Sequence, residues 1–466
     1  MTETGSSEEA TGDGVRGIFE GQRAFFASGA TLDVPFRIRA LTALWEAILQ
    51  EEKRISAAIR KDLGKSEFET CATETGLVLA EIALALKHLG RWAKPRPVPV
   101  PLNQFPTRGC VHPTPKGLVL VISPWNYPFQ LAASPLVSAL AAGNCVLLKP
   151  SELAGATASV LAGLVRSCFQ PEHVAVVEGD AVASSALLAM PFDHIFFTGS
   201  SRVGRIVMES AAKNLTPVTL ELGGKSPCLV CADANLSSAA KRIAWGKFLN
   251  AGQSCIAPDH VLVHESAKND FLRELSKALL SFYGPDPSRS PDYGRIVDDR
   301  NFGRLEAMLG DGRPLAGGHC DSATRYIAPT VLDNIREGSP LLTEEIFGPI
   351  LPVYGFGDIS EVQGRIRRLP RPLALYVFTK DMRLANRFVR EIPCGGACIN
   401  DTVVQFANPH LPFGGLGASG MGACHGKAGF DTFTHFKSVA RTPAAFDLPV
   451  KYPPYGGKIR WLKIFR

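Results

Sequence analysis

The sequence predicts an α/β protein built on two doubly wound parallel sheets, with a small third element. Two observations carry this. First, short and nearly continuous apolar runs recur from Gly117 onward: GLVLVIS, NCVLLK, VAVVEG and HIFFTG. Helix-like segments of a dozen or more residues separate them. Strands that alternate with helices need crossover connections, so the sheet is parallel and covered on both faces. Second, a new strand–helix series follows Glu221-Leu222-Gly223-Gly224, with PCLVC, HVLVH, PTVLD, ILPVYGF and ALYVFT. At about 150 residues per domain, 466 residues allow roughly three units.

The elements follow in order. The opening MTETGSSEEATGDG is polar and acidic and reads as disordered, with neither a secretory signal nor a transit peptide. From Pro35 to Leu63, Ile38, Leu41, Leu44, Trp45, Ile48, Ile55 and Ile59 recur at helical spacing. A second helix spans Thr75 to Trp92. The Pro-rich stretch Lys94 to Pro106 excludes a helix or a central strand and reads as an extended arm at a sheet edge. The uncharged stretch Leu131 to Leu148 is broken by Pro135, Gly143 and Asn144. It reads as a helix ending at Gly143-Asn144 and then a buried strand, not as a membrane span.

Composition narrows the function. The net charge is +6, from 50 basic and 44 acidic residues, without a long block of one sign. That argues against nucleic-acid binding. Eleven cysteines without regular spacing imply reduced thiols in a reducing compartment, hence a cytoplasmic location. Cys228 and Cys231 lie three apart on one strand and so face opposite sides. No cysteine or histidine pair at zinc spacing accompanies them, so no metal is expected. His410 and His425 read as packed or turn-capping residues.

Five stretches carry chemistry. In NAGQSCIAPD, Cys255 sits in a loop of small and polar residues, where a core cysteine would sit in an apolar run. A free thiol has a pKa near ~8.5, so a nucleophilic Cys255 needs a dipole, a cation or a base nearby. In TPVTLELGGKSP, Glu221 ends a strand. It is either a general base that activates water or a carboxylate that caps the next turn. In SPWNYPFQ, Asn126 lies at the carboxyl end of a strand, where α/β sheets place ligands. Its amide either donates to a developing oxyanion or stabilises its own turn. In LKPSE, Lys149 and Glu152 are placed to hydrogen-bond ribose hydroxyls. In FFTGSSRVG, Gly199, Ser200, Ser201, Arg202, Val203 and Gly204 form a strand-to-helix turn. A helix N-terminus favours phosphate, although this is not the usual G-x-G-x-x-G.

Taken in order, PWNYP, KPSE, FTGS, LELGGK, GQSC, EEIFGP and PFGG resemble the aldehyde dehydrogenase superfamily over nearly the whole chain. RYIAPTVLD, PLALYVFTKD and the HLPFGG…HGKAGFDTF ending look most like its class 3 branch, which handles medium- and long-chain aliphatic and aromatic aldehydes. The resemblance implies Cys255 as nucleophile, Asn126 and the Cys255 amide as oxyanion site, and Glu221 as base. It implies NAD or NADP as cofactor. Trp125, Lys149, Glu152, residues 199–204, Glu345 and Phe347 would contact it. Glu152 would repel a 2′-phosphate, yet members of this class often use both cofactors. One position departs: Cys424 stands where the family usually has Tyr.

The resemblance also implies a layout. Residues 1–14 are a disordered tail, 15–94 and 116–222 a cofactor-binding domain, and 223–408 a catalytic domain. Residues 95–115 and 409–466 form a bridging arm and C-terminal tail, which pair two subunits in a homodimer. The tail YGGKIRWLKIFR is too short to span a bilayer. Its basic-aromatic mixture either touches anionic lipid weakly or docks on the protein's own surface. Two rival activities stay in view. A CoA-acylating dehydrogenase would have no use for Glu221 as a hydrolytic base. A cysteine hydrolase would not need a dinucleotide fold.

Overall fold

The computed structural model describes residues 12–462 apart from position 446, with side chains from 14 to 460. Its first large sheet has six strands. Their spatial order is Gly420–Met421, Val218–Glu221, His194–Thr198, Leu118–Ile122, Cys145–Lys149 and Val174–Val176. All pairs are parallel except the Gly420–Met421 edge. The central strands are buried along their whole length, which is why they read as unbroken apolar runs. The winding reverses at Leu118–Ile122, which lies between its successor Cys145–Lys149 and the later His194–Thr198. Ligands of open α/β sheets bind outside the carboxyl ends of the strands at such a reversal. The two chains that leave it carry Asn126 and Gly199.

A second sheet has seven strands, in the order Arg313–Ala316, Thr330–Asp333, Ile350–Phe356, His260–His264, Pro227–Val230, Ala374–Phe378 and Gly396–Ile399. Only the Arg313–Ala316 edge is antiparallel. Cys255 and Glu345 lie just before the amino ends of His260–His264 and Ile350–Phe356. The carboxyl ends of one sheet thus meet residues at the amino ends of the other. Cys228 packs into the core on one face of this sheet and Cys231 into the core on the other.

The Pro-rich arm forms the strand Arg96–Val98, at the edge of a three-stranded antiparallel sheet with Arg108–Pro115 and Thr434–Arg441. Thr434–Arg441 pairs on one side only among the described residues.

Helices Val34–Leu63, Gly76–Trp92 and Gln130–Ala142 pack on the first sheet through Leu41, Leu44, Ile48, Ile55 and Ile59, among others. Ile38, which the spacing assigned to that apolar face, is exposed. The helix Gln130–Ala142 ends where Gly143 takes a left-handed φ of 93°. Asn144, fully buried, then accepts from the Gly117 amide at 2.9 Å and donates to the Ala139 and Phe433 carbonyls at 3.1 and 3.0 Å. Among the described residues no helix is long and apolar enough to cross a membrane.

One expectation is corrected. A helix, Gly12–Ala27, begins inside the stretch 1–14 read as disordered; positions 1–11 lie outside the described residues. Its four glycines disfavour helix by about 1 kcal/mol each. Tertiary contact offsets them, because Val15 and Phe19 are buried and Gln22 donates to the Val146 carbonyl at 3.0 Å. At the other end, Lys458 donates to the Pro449 and Tyr452 carbonyls, and Ile459 is exposed. The side chains of Trp461 to Arg466, on which most of the reading of the tail rests, lie outside the described residues.

Candidate active site

A cleft of about 250 Å³ opens between the two large sheets. Trp125, Asn126, Gly199, Ser200, Glu221 and Cys255 line it, with Glu345 and Phe347 opposite. Trp125 and Phe347 meet edge to face at 5.4 Å. Eight of the residues singled out in the sequence therefore share one cavity.

Glu221 is the last residue of its strand and is buried, and neither of its carboxylate oxygens has a partner. A turn-capping carboxylate would be hydrogen-bonded, so the capping reading fails. Burial without a donor holds the Glu221 carboxyl well above the ordinary carboxylate range. Burial likewise raises the Cys255 thiol well above its usual value. The Glu345 and Glu221 carboxylates raise it further, while the amides of Cys255 and Ile256 oppose them. Burial pushes Glu345 up to about 8, against the Gly224 amide. One glycine is needed here: a Cβ on Gly223 would lie 2.0 Å from a Glu345 oxygen.

Asn126 is held from three sides. Its Nδ2 donates to the Gln253 carbonyl at 3.1 Å, which turns one amide proton toward the cysteine loop and leaves the other. Its own carbonyl accepts from Lys65 Nζ at 3.0 Å and from Asn250 Nδ2 at 2.7 Å. Lys65 is fully buried against Glu74 at 2.7 Å and sits 3.9 Å over the Tyr127 ring. The other Glu74 oxygen accepts from the Phe129 and Gln130 amides, each at 3.0 Å, and so caps the helix Gln130–Ala142. The cysteine loop is strained: Asn250 and Ala251 have φ of 52° and 50°, before Gly252 at 75°. Glu69 secures it by accepting from the Asn250 amide at 2.8 Å.

A second, narrower cavity leads away from Cys255 and Glu221 on the other side. Phe196, Phe406, Phe413, Leu131 and Pro135 make it apolar, and Cys424 and His425 also line it. Cys255 and Glu221 border both cavities.

Residues 2–439 match the model of the aldehyde dehydrogenase family. The chain belongs to that family. It is 46% identical to a Staphylococcus aureus 4,4'-diaponeurosporen-aldehyde dehydrogenase, over 96% of this chain and 98% of that one. It is 45% identical to a rat aldehyde dehydrogenase named dimeric and NADP-preferring, over 89% of this chain and 92% of that one. The structure of a substrate-bound Staphylococcus aureus AldH superposes with a TM-score of 0.95, at 45% identity and over 97% and 99% of the two chains. The protein is thus an oxidoreductase acting on aldehydes.

The dehydrogenase does not bring every expected residue into the cleft. Lys149 is buried at the end of the neighbouring strand, donates to the Pro150 carbonyl at 2.8 Å, and lies 3.6 Å from the half-exposed Glu152. Ser200 caps the helix Ser201–Ala212 by accepting from the Val203 amide. Ser201 donates to the Ala418 carbonyl at 3.2 Å, and Arg202 is exposed. Gly204 is a packing residue: a Cβ there would lie 2.8 Å from Leu222. Sequence reasoning missed Lys65, Glu69, Glu74, Asn250 and Gln253, which hold the two reactive loops. The signal available was the polar stretch GKSEFETCATET between two amphipathic helices, too charged for a core yet flanked by one on both sides.

Because Lys65 and Glu74 satisfy each other in a dry interior, removing one charge strands the other. Glu74→Gln is expected to lower stability by about 3–5 kcal/mol in urea unfolding. The double variant Lys65→Met/Glu74→Gln should lose clearly less. Equal losses would show that the pair carries no such coupling.

Proposed function

We propose that the enzyme oxidises medium- and long-chain aliphatic or aromatic aldehydes to carboxylic acids with NAD(P)+, through a thioester on Cys255. The observation that carries this is the position of Cys255 and Glu221 on the border of two cavities, one lined almost wholly by apolar surface and one that also carries polar groups. The apolar channel suits an aldehyde's hydrocarbon, and the cleft suits a dinucleotide.

The cleft residues fit such a cofactor. Glu345 Oε1 is buried without a partner and can accept from a ribose hydroxyl. Gly199 and Ser200 open a twelve-residue helix whose amide end favours phosphate. Trp125 and Phe347 offer aromatic faces, and Lys149 with Glu152 would take the adenosine ribose. Bound NAD(P)+ supplies the hydride acceptor that makes the reaction an oxidation.

The chain's own residues do the rest. The Cys255 thiolate adds to the aldehyde carbon. The free Asn126 amide proton and the Cys255 N–H hold the oxyanion that forms. Once the carbon is oxidised to a thioester, Glu221 takes a proton from water, which attacks and releases the acid. Nothing else claims the Glu221 oxygens, so they are free for that proton. The CoA-acylating alternative would leave this buried, unpartnered carboxylate without a role.

Assembly is part of the proposal. The unpaired edge of Thr434–Arg441 is a template for a second chain, and the rat relative is named dimeric. A homodimer is expected in light scattering; a monomer or tetramer would overturn it.

Cys255→Ala should leave no more than a trace of oxidation. Glu221→Gln should keep a burst of reduced cofactor while steady turnover collapses by about 100-fold or more. Unchanged turnover would remove Glu221 from the reaction.

The acidities predict a direction with pH. Both reactive groups work deprotonated and both are held above their ordinary values, so kcat/KM should rise through neutrality into the alkaline range. Below the governing pKa the slope should approach about tenfold per pH unit. A flat profile or a decline over that range would contradict the assignment.

A further inference from the structure

We infer that Asp259 is a positioning residue for the cofactor: paired with Lys225, it holds the segment that grips the nicotinamide half in register with the nucleophile. This rests on the proposed use of NAD(P)+ and names what orients it. Asp259 is buried, four residues after Cys255 and just ahead of the strand His260–His264. Lys225 is buried as well, four residues after Glu221. The two meet in an ion pair. One contact thus joins the segment that carries the nucleophile to the segment that carries the base.

Both partners also bind the backbone on either side of Glu345. Lys225 Nζ donates to the Glu344 carbonyl at 3.0 Å, and the second Asp259 oxygen accepts from the Ile346 amide at 2.8 Å. From the helix Asp299–Leu309, Arg304 donates to the Ile346 carbonyl at 2.7 Å. The Glu345 carboxylate itself lies against Gly223 and accepts from the Gly224 amide. The loops also touch directly, since a Cβ on Gly252 would lie 2.3 Å from the Gly348 carbonyl oxygen. The residue after Ile346 needs such a grip. Phe347 has a φ of 51°, in the left-handed region that a bulky side chain disfavours. Without the clamp the backbone is free to leave that φ, and Phe347 to leave its edge-to-face contact with Trp125.

A buried ion pair is a poor source of stability, since apolar side chains of like size do as well. What this pair supplies is direction, with one bond to a carbonyl and one to an amide. Burial pushes the Asp259 carboxyl up, but Lys225, and after it His260 and Lys247, pull it down further, below its ordinary range. The pair is therefore charged at neutral pH. The clamp leaves one group free: Glu345 Oε1, buried in the cleft and without a partner among the described residues. That acceptor suits a ribose hydroxyl of the nicotinamide half. The residues suited to the adenosine half, Lys149, Glu152 and the turn at Gly199, belong to the other sheet and its loops. Loss of the clamp should therefore weaken one half of the dinucleotide and spare the other.

The test is equilibrium binding to the full-length enzyme by titration calorimetry. Each dinucleotide is compared with its adenosine half: NAD+ with ADP, and NADP+ with 2′-phospho-ADP. Asp259→Asn keeps the shape and one acceptor but removes the charge opposite Lys225. Arg304→Met removes only the bond to the Ile346 carbonyl, from a half-buried side chain, and spares the interior pair. Dinucleotide Kd should rise about tenfold in Asp259→Asn and about threefold in Arg304→Met, the scale of one or two hydrogen bonds. The adenosine halves should bind both variants as they bind the unsubstituted enzyme. In steady state the KM for cofactor should rise while the KM for aldehyde holds. If Asp259→Asn does not fold, Arg304→Met decides alone. An unchanged dinucleotide Kd overturns the inference. So does a parallel loss of adenosine-half binding, which marks general damage and not a grip on the nicotinamide side. An unsubstituted enzyme that binds neither dinucleotide overturns the cofactor reading as well.

Discussion

The site depends on one buried interaction, the Lys65–Glu74 ion pair. Lys65 donates to Glu74 and to the Asn126 carbonyl, and Glu74 accepts two amides at the start of the helix Gln130–Ala142. Every charge in this cluster is matched, which makes burial tolerable; a half-matched cluster would cost more than an apolar one. The cluster fixes the loop after Leu118–Ile122 in place and in rotation. The Asn126 carbonyl then serves as a junction, because Asn250 of the cysteine loop donates to the same oxygen. Amide and thiol are thus positioned through one shared acceptor, with Glu69 and Gln253 securing the cysteine loop.

The cysteine loop shows how local strain is sustained. Two non-glycine residues in the left-handed region cost about 1–2 kcal/mol each. Hydrogen bonds offset this at about 0.5–1.5 kcal/mol apiece, namely Asn250 to Glu69, to Asn126 and to Gln253. Gln253 adds further bonds to the Asn250 and Arg295 carbonyls and accepts from the Val297 amide. The strained turn presents Cys255 to the cleft while its flanking amides point inward. Burial works against activation here: it raises the pKa values of Cys255, Glu221 and Glu345 above their ordinary values.

Two cavities that meet at Cys255 and Glu221 divide the chemistry by polarity. The cleft that carries the polar groups is built from the carboxyl ends of one sheet and the loops before the other. The apolar channel is built from three aromatic side chains and the helix that Glu74 caps. The same helix therefore anchors the oxyanion loop at its start and walls the channel along its length.

Much of this was legible in the chain. Strand runs, the break at Gly143-Asn144 and the Pro-rich edge arm were readable because burial on two faces, turn geometry and the missing proline N–H act locally. Cys255, Glu221 and Asn126 stood out because each is a reactive or polar residue in a loop or at a strand end where packing alone would not ask for one. The helix Gly12–Ala27 was not readable, since its glycines argue against it and only its seat on the sheet stabilises it. Lys65, Glu69 and Glu74 were not readable either, because the backbone groups they hold, of Asn126, Phe129 and Asn250, lie 61, 55 and 181 residues away, and without those contacts each looks like a surface charge. The sequence by itself determined the elements and the reactive groups, through short-range sterics and side-chain chemistry. The tertiary structure decided which carboxylates are naked and which are paired, because that depends on distances that no local pattern contains.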